Sequence, residues 1–354
     1  MSPSPSPPPF PSSSSSSSSP ASPLTLTHRF TRPASRSEIT AVGIAPSRAG
    51  TPLAYAIFPG AQSDQPWIDT FDLVSQRGYS KIVGPAASFS PTLHSSPLRV
   101  GKSAAASSAL SAASSSSSSS AEAFPRIATL SSNQTLTVRD FASAKAVLEL
   151  KEVSAPIAWS PDGRTIAAAE PRQHRIGTWD VRTGTRTGRV PGHIDAVTHA
   201  AFAPDATLVT LSRDGTARVT DPGTGRTLYK LEVDHAPRIP RALGVSPDGA
   251  TVVSVWGTSV HVWMPRHGRL TSYGLSSTRP CEGWPLCVSP DCRYIASWTE
   301  EGFDVMDAAS GSVVCARSGG PLVTSADFSV DGRVLVVGRI NGDVEVWDVV
   351  DERV

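Results

Sequence analysis

From Ala155 to Asp348 the apolar positions fall into short β-type runs in which apolar and polar residues alternate. One unit shows the plan, with β-type runs at Ala196 to Phe202, Thr207 to Leu211, Thr216 to Thr220 and Thr227 to Leu231. In the third run of a unit the alternation is clean: Val260 and Val262 oppose His261 and Trp263, and Val344 and Val346 oppose Glu345 and Trp347. Period two, broken by turns every eight to twelve residues or so, predicts antiparallel sheet. The turns themselves recur: Ser160-Pro161-Asp162-Gly163, Ala203-Pro204-Asp205-Ala206, Ser246-Pro247-Asp248-Gly249, Ser289-Pro290-Asp291-Cys292 and Ser329-Val330-Asp331-Gly332. Their Asp residues stand 43, 43, 43 and 40 residues apart. A second marker follows each turn by about 17 residues, at Trp179-Asp180, Thr220-Asp221, Trp263-Met264, Met306-Asp307 and Trp347-Asp348. Two markers in phase at a period of about 40–45 residues predict propeller blades.

The same plan extends toward the N-terminus in weaker form. Runs at Ile39 to Ala45, Leu53 to Phe58 and Trp67 to Leu73 make a first unit, with Phe71-Asp72 in the Trp-Asp place. A second unit is expected to begin at Lys81, pass through Ala87 to Pro91, resume at Arg126 to Leu130 and end at Arg139-Asp140. Between its halves lies a Ser/Ala-rich insertion at about 92–123, read as a disordered loop in the first turn of the unit, since lengthening a loop costs only about 0.6 kcal/mol per doubling. Within it, Gly101-Lys102-Ser103 resembles the tail of a phosphate-binding loop, but Ser96 stands where the leading Gly belongs and no strand precedes it. Residues 1–22 are Ser/Pro repeats, expected to be disordered, and the domain runs from 23 to 354. The last unit stops after its third strand, so Leu24 to Phe30, with Leu24, Leu26 and Phe30 expected on one face, is assigned as its fourth and closes the ring. Asp-type ends at 72, 140, 180, 221, 264, 307 and 348 give seven units.

Charge and composition narrow the chemistry. Lys+Arg 32 against Asp+Glu 31 leaves net +1, with no global field to draw in nucleic acid or an anionic membrane. No stretch approaches the 18 or more apolar residues of a spanning helix, and no secretory leader pattern is present, so a cytoplasmic or nuclear setting is expected. Arg29, Arg32 and Arg36 without any acid before Glu38 have the composition of a mitochondrial presequence, although the Pro content of the first 23 residues opposes the amphipathic helix that such signals use. Cys281, Cys287, Cys292 and Cys315 share one unit. Cys281 and Cys292 flank one expected strand and would lie more than about 20 Å apart, too far for one zinc, so free thiols are expected.

These units resemble WD40 repeats: Gly192-His193, Pro204-Asp205, the run Leu211 to Thr216 and the Trp-Asp pairs at 179 and 347 carry the likeness, over about 37–352. The resemblance implies an all-β fold, a seven-bladed β-propeller of four-stranded antiparallel blades closed by an N-terminal strand in the last blade. It also implies a bracing set of loop His, second-strand Ser or Thr, turn Asp and third-strand Trp. Here His193, Thr210 and Asp214 occupy the first three places and Thr220 the fourth, while Trp179, Trp263 and Trp347 occupy the Trp place elsewhere. Trp179-Asp180-Val181-Arg182 is similar to the Trp-Asp-x-Arg element of WD40 receptors of cullin-4 ubiquitin ligases, which offers a substrate-receptor role as an alternative, with Trp179, Asp180 and Arg182 as adaptor contacts.

Catalytic chemistry finds little support. The histidines at 28, 94, 174, 193, 199, 235, 261 and 267 show no metal-ligand spacing, and no Gly-x-Ser-x-Gly elbow is present. The periodic Asp residues are expected to bind their own turn backbone rather than act as acids. The expected function is a non-enzymatic scaffold with no cofactor and no metal, monomeric on its own and part of a complex with a protein or peptide. A propeller enzyme remains the other reading and needs converging acids, histidines or a metal at the channel mouth. Loops between second and third strands, and those joining units, share one end of such a ring. They are expected to expose Tyr79, Arg172, His174, Arg213, Trp256, Glu300, Glu301 and Arg339. Trp and Arg are enriched at protein-binding hot spots, which makes Tyr79, Arg172, Arg213, Trp256, Glu300 and Arg339 the candidate partner-binding set.

Overall fold

The structure, a computed structural model, describes residues 24–32, 41–45, 53–58, 67–76, 78–83, 94–95, 126–131, 133–140, 145–172, 174–233, 239–274, 286–299, 302–329 and 331–351. Among the described residues the strands form seven four-stranded antiparallel sheets. Their innermost strands are Ala41–Ala45, His94–Ser95, Ser154–Trp159, Val197–Phe202, Pro240–Val245, Leu286–Val288 and Val323–Phe328. Each touches the next, and Val323–Phe328 returns to Ala41–Ala45, so the sheets make a closed ring, a β-propeller.

Sequence pattern follows position in the ring. Second strands are covered on both faces by neighbouring sheets, and Leu208–Ser212, Val252–Trp256 and Val334–Arg339 are buried from end to end. Outer strands such as Arg226–Glu232 and Arg269–Gly274 are mostly exposed and carry charge, which discourages pairing with another edge. Between these extremes, apolar side chains of adjacent sheets merge. Val209, Leu211, Ala217 and Val219 of the fourth sheet pack with Val252, Trp256 and Trp263 of the fifth.

The recurring turn holds itself together. Ser160 Oγ donates to Asp162 Oδ1 at 2.6 Å, Asp162 accepts the Arg164 N–H at 3.0 Å, and Ser160 Oγ accepts the Thr165 N–H at 2.9 Å. The Ser–Asp bond recurs at Ser246–Asp248, Ser289–Asp291 and Ser329–Asp331, at 2.5, 2.6 and 2.5 Å. Where Ala203 replaces the Ser, Asp205 takes the Thr207 hydroxyl at 2.7 Å instead.

Ring closure is a strand pairing between distant parts of the chain. Leu24–Arg32 runs antiparallel to Val344–Asp351, from Leu24 opposite Asp351 to Arg32 opposite Val344. A bulge at Arg29 alters the expected facing, because one extra residue reverses every side chain beyond it. Leu24 and Leu26 therefore enter the cluster of Tyr294, Trp298 and Phe303 in the sixth sheet, whereas Phe30 packs on the opposite side with Val42 and Phe71 of the first. Arg29 turns to Asp348, which accepts its Nε–H at 3.1 Å.

The first two units depart from the expected boundaries. Lys81 belongs to Gly78–Val83, the outer strand of the first sheet, and the second sheet starts with His94–Ser95, paired to Arg126–Leu130. That strand falls inside the span assigned to the insertion. Residues 96–125, including Gly101-Lys102-Ser103, lie outside the described residues, as do the Ser/Pro segment and Cys281. Cys287, Cys292 and Cys315 are free thiols. Burial pushes Cys287 well above its ordinary pKa and Cys292 up to about 12, so both stay protonated.

Candidate functional site

The fourth sheet contains a buried polar relay that fixes the loop before it. His193 bonds to Thr210 Oγ1 through Nε2 at 2.8 Å and to Asp214 Oδ2 through Nδ1 at 3.0 Å. Asp214 also accepts from Thr216 Oγ1 at 2.7 Å and from the Ile194 N–H at 3.1 Å. Burial drives the His193 pKa down, against the pull of Asp214, and the ring is neutral at pH 7. Burial acts to raise Asp214, but hydrogen bonds from Thr216, the Ile194 backbone and His193 prevail and hold it at about 2. Thr220, fully buried, fills the Trp place. Elsewhere Trp263 packs in the clusters between sheets, and Trp347 donates to Glu345 at 3.2 Å and meets Phe303 edge to face at 5.7 Å.

The relay sets the end of the ring that carries the second-to-third-strand turns and the joining loops. Ile194, 83% exposed, is presented there because its own N–H is tied to Asp214. Arg213, also exposed, is anchored by its N–H to the Ala196 carbonyl at 2.9 Å. In the next joining loop Ile239 is 53% exposed, and its carbonyl accepts the Gly257 N–H at 2.9 Å. Leu322 and Ile340, 38% and 42% exposed, are joined by a 2.8 Å backbone bond in the last sheet. Sequence reasoning passed over these four apolar residues. Their signal was an aliphatic side chain in an otherwise polar joining segment, as in Gly192-His193-Ile194 and Pro321-Leu322.

Arg172 and His174 are exposed on this end too. Trp256 and Arg339 are not: they are 2% and 3% exposed. Both close a second strand, and Trp256 is covered there by Val209, Leu211 and Val219 of the fourth sheet. Arg339 forms a fork with Glu345, Nε to Oε1 at 3.0 Å and Nη2 to Oε2 at 2.9 Å, and its Nη1 donates to the Pro321 carbonyl at 2.6 Å. Tyr79 stands at the start of the outer strand of the first sheet, near its third-to-fourth-strand turn and hence at the other end of the ring. Its side chain, like Glu300 and Glu301, lies outside the described residues.

In the Trp179-Asp180-Val181-Arg182 element, Asp180 accepts from the Thr183 N–H and hydroxyl at 2.7 and 2.9 Å and from the Arg182 N–H at 3.0 Å, and these bonds, those from Thr183 foremost, lower its pKa. Val181 is buried and Arg182 exposed. Asp221 and Asp307 hold equivalent turns at the same place in their sheets. The geometry of this Asp is thus common to several sheets. Among the described residues no group of three or more His, Cys, Asp or Glu could hold a metal ion. No helix among them is long and apolar enough to cross a membrane.

The family model "WD domain, G-beta repeat" matches residues 184–221 and 311–348, each ending on the Asp of a third strand. The chain carries WD40 repeats. Among curated WD40 relatives it is 28% identical over 204 residues to Periodic tryptophan protein 2 of Arabidopsis thaliana, covering 55% of this chain and 22% of that protein. It is 27% identical over 222 residues to Telomerase protein component 1 of Rattus norvegicus, covering 62% of this chain and 8% of that one. With the Small ribosomal subunit protein RACK1y of Oryza sativa subsp. japonica it shares 27% identity over 187 residues, 49% of this chain and 54% of the relative. The chain thus spans only a fraction of the length of the first two.

Proposed function

We propose that this WD40 chain is a non-enzymatic scaffold that binds a protein partner through the ring end bearing Ile194, Arg213, Ile239, Leu322 and Ile340. One observation carries the reading: isolated aliphatic side chains project from loops whose backbones are pinned by the relay and by cross-loop hydrogen bonds. Rigid loops lose little entropy on docking, so exposed apolar area there converts efficiently into affinity. Two of the relatives, a telomerase protein component and a small ribosomal subunit protein, are by name members of assemblies, which agrees with such a role. A cullin-4 receptor role would rest on Arg182, the exposed member of its element, and predicts that Arg182→Ala loses a co-purifying cullin-4 complex.

The decisive experiment compares affinity purifications of the full chain and of Ile194→Asp/Arg213→Glu/Ile239→Asp. These surface changes should each alter stability by less than about 0.5 kcal/mol, so the variant should melt with the wild type and lose its specific partners. Recovery of the same partners by both would place the binding surface elsewhere.

A further inference from the structure

Between the second and third sheets a cleft of about 530 Å³ opens on the same end of the ring. One wall is the third sheet, and a bulge determines what that wall displays. Trp179 pairs with Arg186 and Thr178 with Gly188, leaving Thr187 as the extra residue; Arg189 then pairs with Gly177. In a regular strand Arg186 and Arg189, three residues apart, would face opposite ways. The bulge puts both on the face of Gly177 and Trp179, which is also the face of Glu170, because Glu170 pairs with Arg175 two positions from Gly177. Gly177 makes room: a Cβ there would lie 2.4 Å from the Trp179 ring and 2.9 Å from Arg186.

The resulting charge is unbalanced. Glu170, 8% exposed, is ion-paired with Arg186 and lies 3.6 Å from Arg189 Nε. The Arg186 guanidinium also stands 5.5 Å from the centre of the Trp179 ring. Lys151 and Arg172 add two cations at the rim, against one further carboxylate, Glu152. Four cations thus face two acids around an aromatic wall. The pKa of Arg186 is depressed first by burial and then by the charge of Arg189.

We propose that this cleft receives an anionic stretch of a protein partner, whose carboxylate or phosphate groups bridge Arg189, Lys151 and Arg172 beside the Trp179 ring. The inference rests on reading this end of the ring as the binding end and supplies the chemistry of what binds. Guanidiniums match carboxylate and phosphate in planar, two-point contacts. The indole face supplies apolar area for the intervening peptide.

The test is fluorescence anisotropy on the full chain with three labelled peptides of equal length: one bearing four consecutive Glu, one bearing two phosphoserines, and one bearing four Gln. Both acidic peptides, or whichever carries the matching anion, should bind with an affinity that falls as salt is raised, and the Gln peptide should not bind. The stronger of the two identifies the anion. Lys151→Gln/Arg189→Gln leaves Arg186 on Glu170, so it should keep the wild-type melting temperature and weaken binding by about tenfold or more, a change of about 1.4 kcal/mol. Equal binding by the folded double variant, or no salt-sensitive binding of either acidic peptide to the wild type, overturns the proposal. The Ile194→Asp/Ile239→Asp pair separates the two readings. It should retain the acidic peptide, so that loss of protein partners and loss of peptide are scored on different variants.

Discussion

His193 and Asp214 show how a single pair can be both a brace and a source of acid sensitivity. Asp214, at about 2 in the folded chain, sits below the roughly 3.9 of a free Asp side chain, so the unfolded chain binds its proton first as pH falls. Its contribution is therefore complete above about pH 4 and disappears between about pH 4 and pH 2. His193, depressed by burial, adds a loss of the same sign that begins as pH drops below about 6.5. Asp214→Asn should cost about 1–3 kcal/mol at neutral pH, because the buried His193 ring loses a charged partner. It should also flatten the melting temperature between pH 4 and pH 2 relative to wild type, as followed by circular dichroism. An unchanged slope in that window would assign the acid sensitivity to other carboxylates. This relay was legible through the likeness to WD40 repeats, which supplies the roles of His193, Thr210 and Asp214. The burial of Trp256 and Arg339 was not, because Trp and Arg are equally at home on a binding surface. What decides is Glu345 on the adjacent strand and the Pro321 carbonyl for Arg339, and the cover of the fourth sheet for Trp256, which are facts of packing. A signal existed in Val334-Leu335-Val336-Val337-Gly338-Arg339, a nearly continuous apolar run of the kind found in strands covered on both faces.

At the level of elements, the strands were legible from alternation, but bulges were not. Arg29 and Thr187 each displace the pairing by one residue, and each re-aims the side chains that follow: one sends Phe30 to the first sheet, the other collects two arginines on one face. Nothing in local composition marks either position. Sheet-to-sheet distance has a clearer local determinant in Gly188. A Cβ there would meet the Pro222 carbonyl of the fourth sheet at 2.2 Å and Thr178 Oγ1 at 2.8 Å, and neither a backbone carbonyl nor a strand-bound Thr yields cheaply. Gly188→Ala should thus push the third and fourth sheets apart and cost about 1–3 kcal/mol, the usual range for overpacking. Gly274→Ala is the matched control, since a Cβ at Gly274 meets nothing within 4 Å. Thermal melts of the two should differ by several degrees, with Gly274→Ala at or above wild type. Equal melting temperatures would mean that the sheets separate freely at Gly188.

For the whole molecule, the period was the most informative feature in the sequence, and it failed only where spacing failed. The last five units, with the Asp turn intact, fell in the expected places. In the first two the turn is degenerate, and the expected start of the second unit, Lys81, lies in the fourth strand of the first, Gly78–Val83. Closure was legible because a ring cannot end on an open edge: the final unit lacked a strand and one unpaired run was left over near the N-terminus. Removing Leu24–Arg32 would expose the edge of Val344–Asp351 and uncover the apolar residues that Leu24, Leu26 and Phe30 cover. At about 1.5–3 kcal/mol for each buried apolar side chain, the loss of three approaches the 5–15 kcal/mol that holds an ordinary domain together. Deletion of residues 1–33 should therefore abolish cooperative melting or lower its midpoint drastically, and should promote association through the freed edge, detectable by light scattering. Deletion of residues 1–21 leaves this strand whole and should melt like the full chain. Should the two truncations give the same melting curve, the ring would have to be closed by the three remaining strands of the last sheet, and the pairing of Leu24–Arg32 would be an accessory contact and not the clasp.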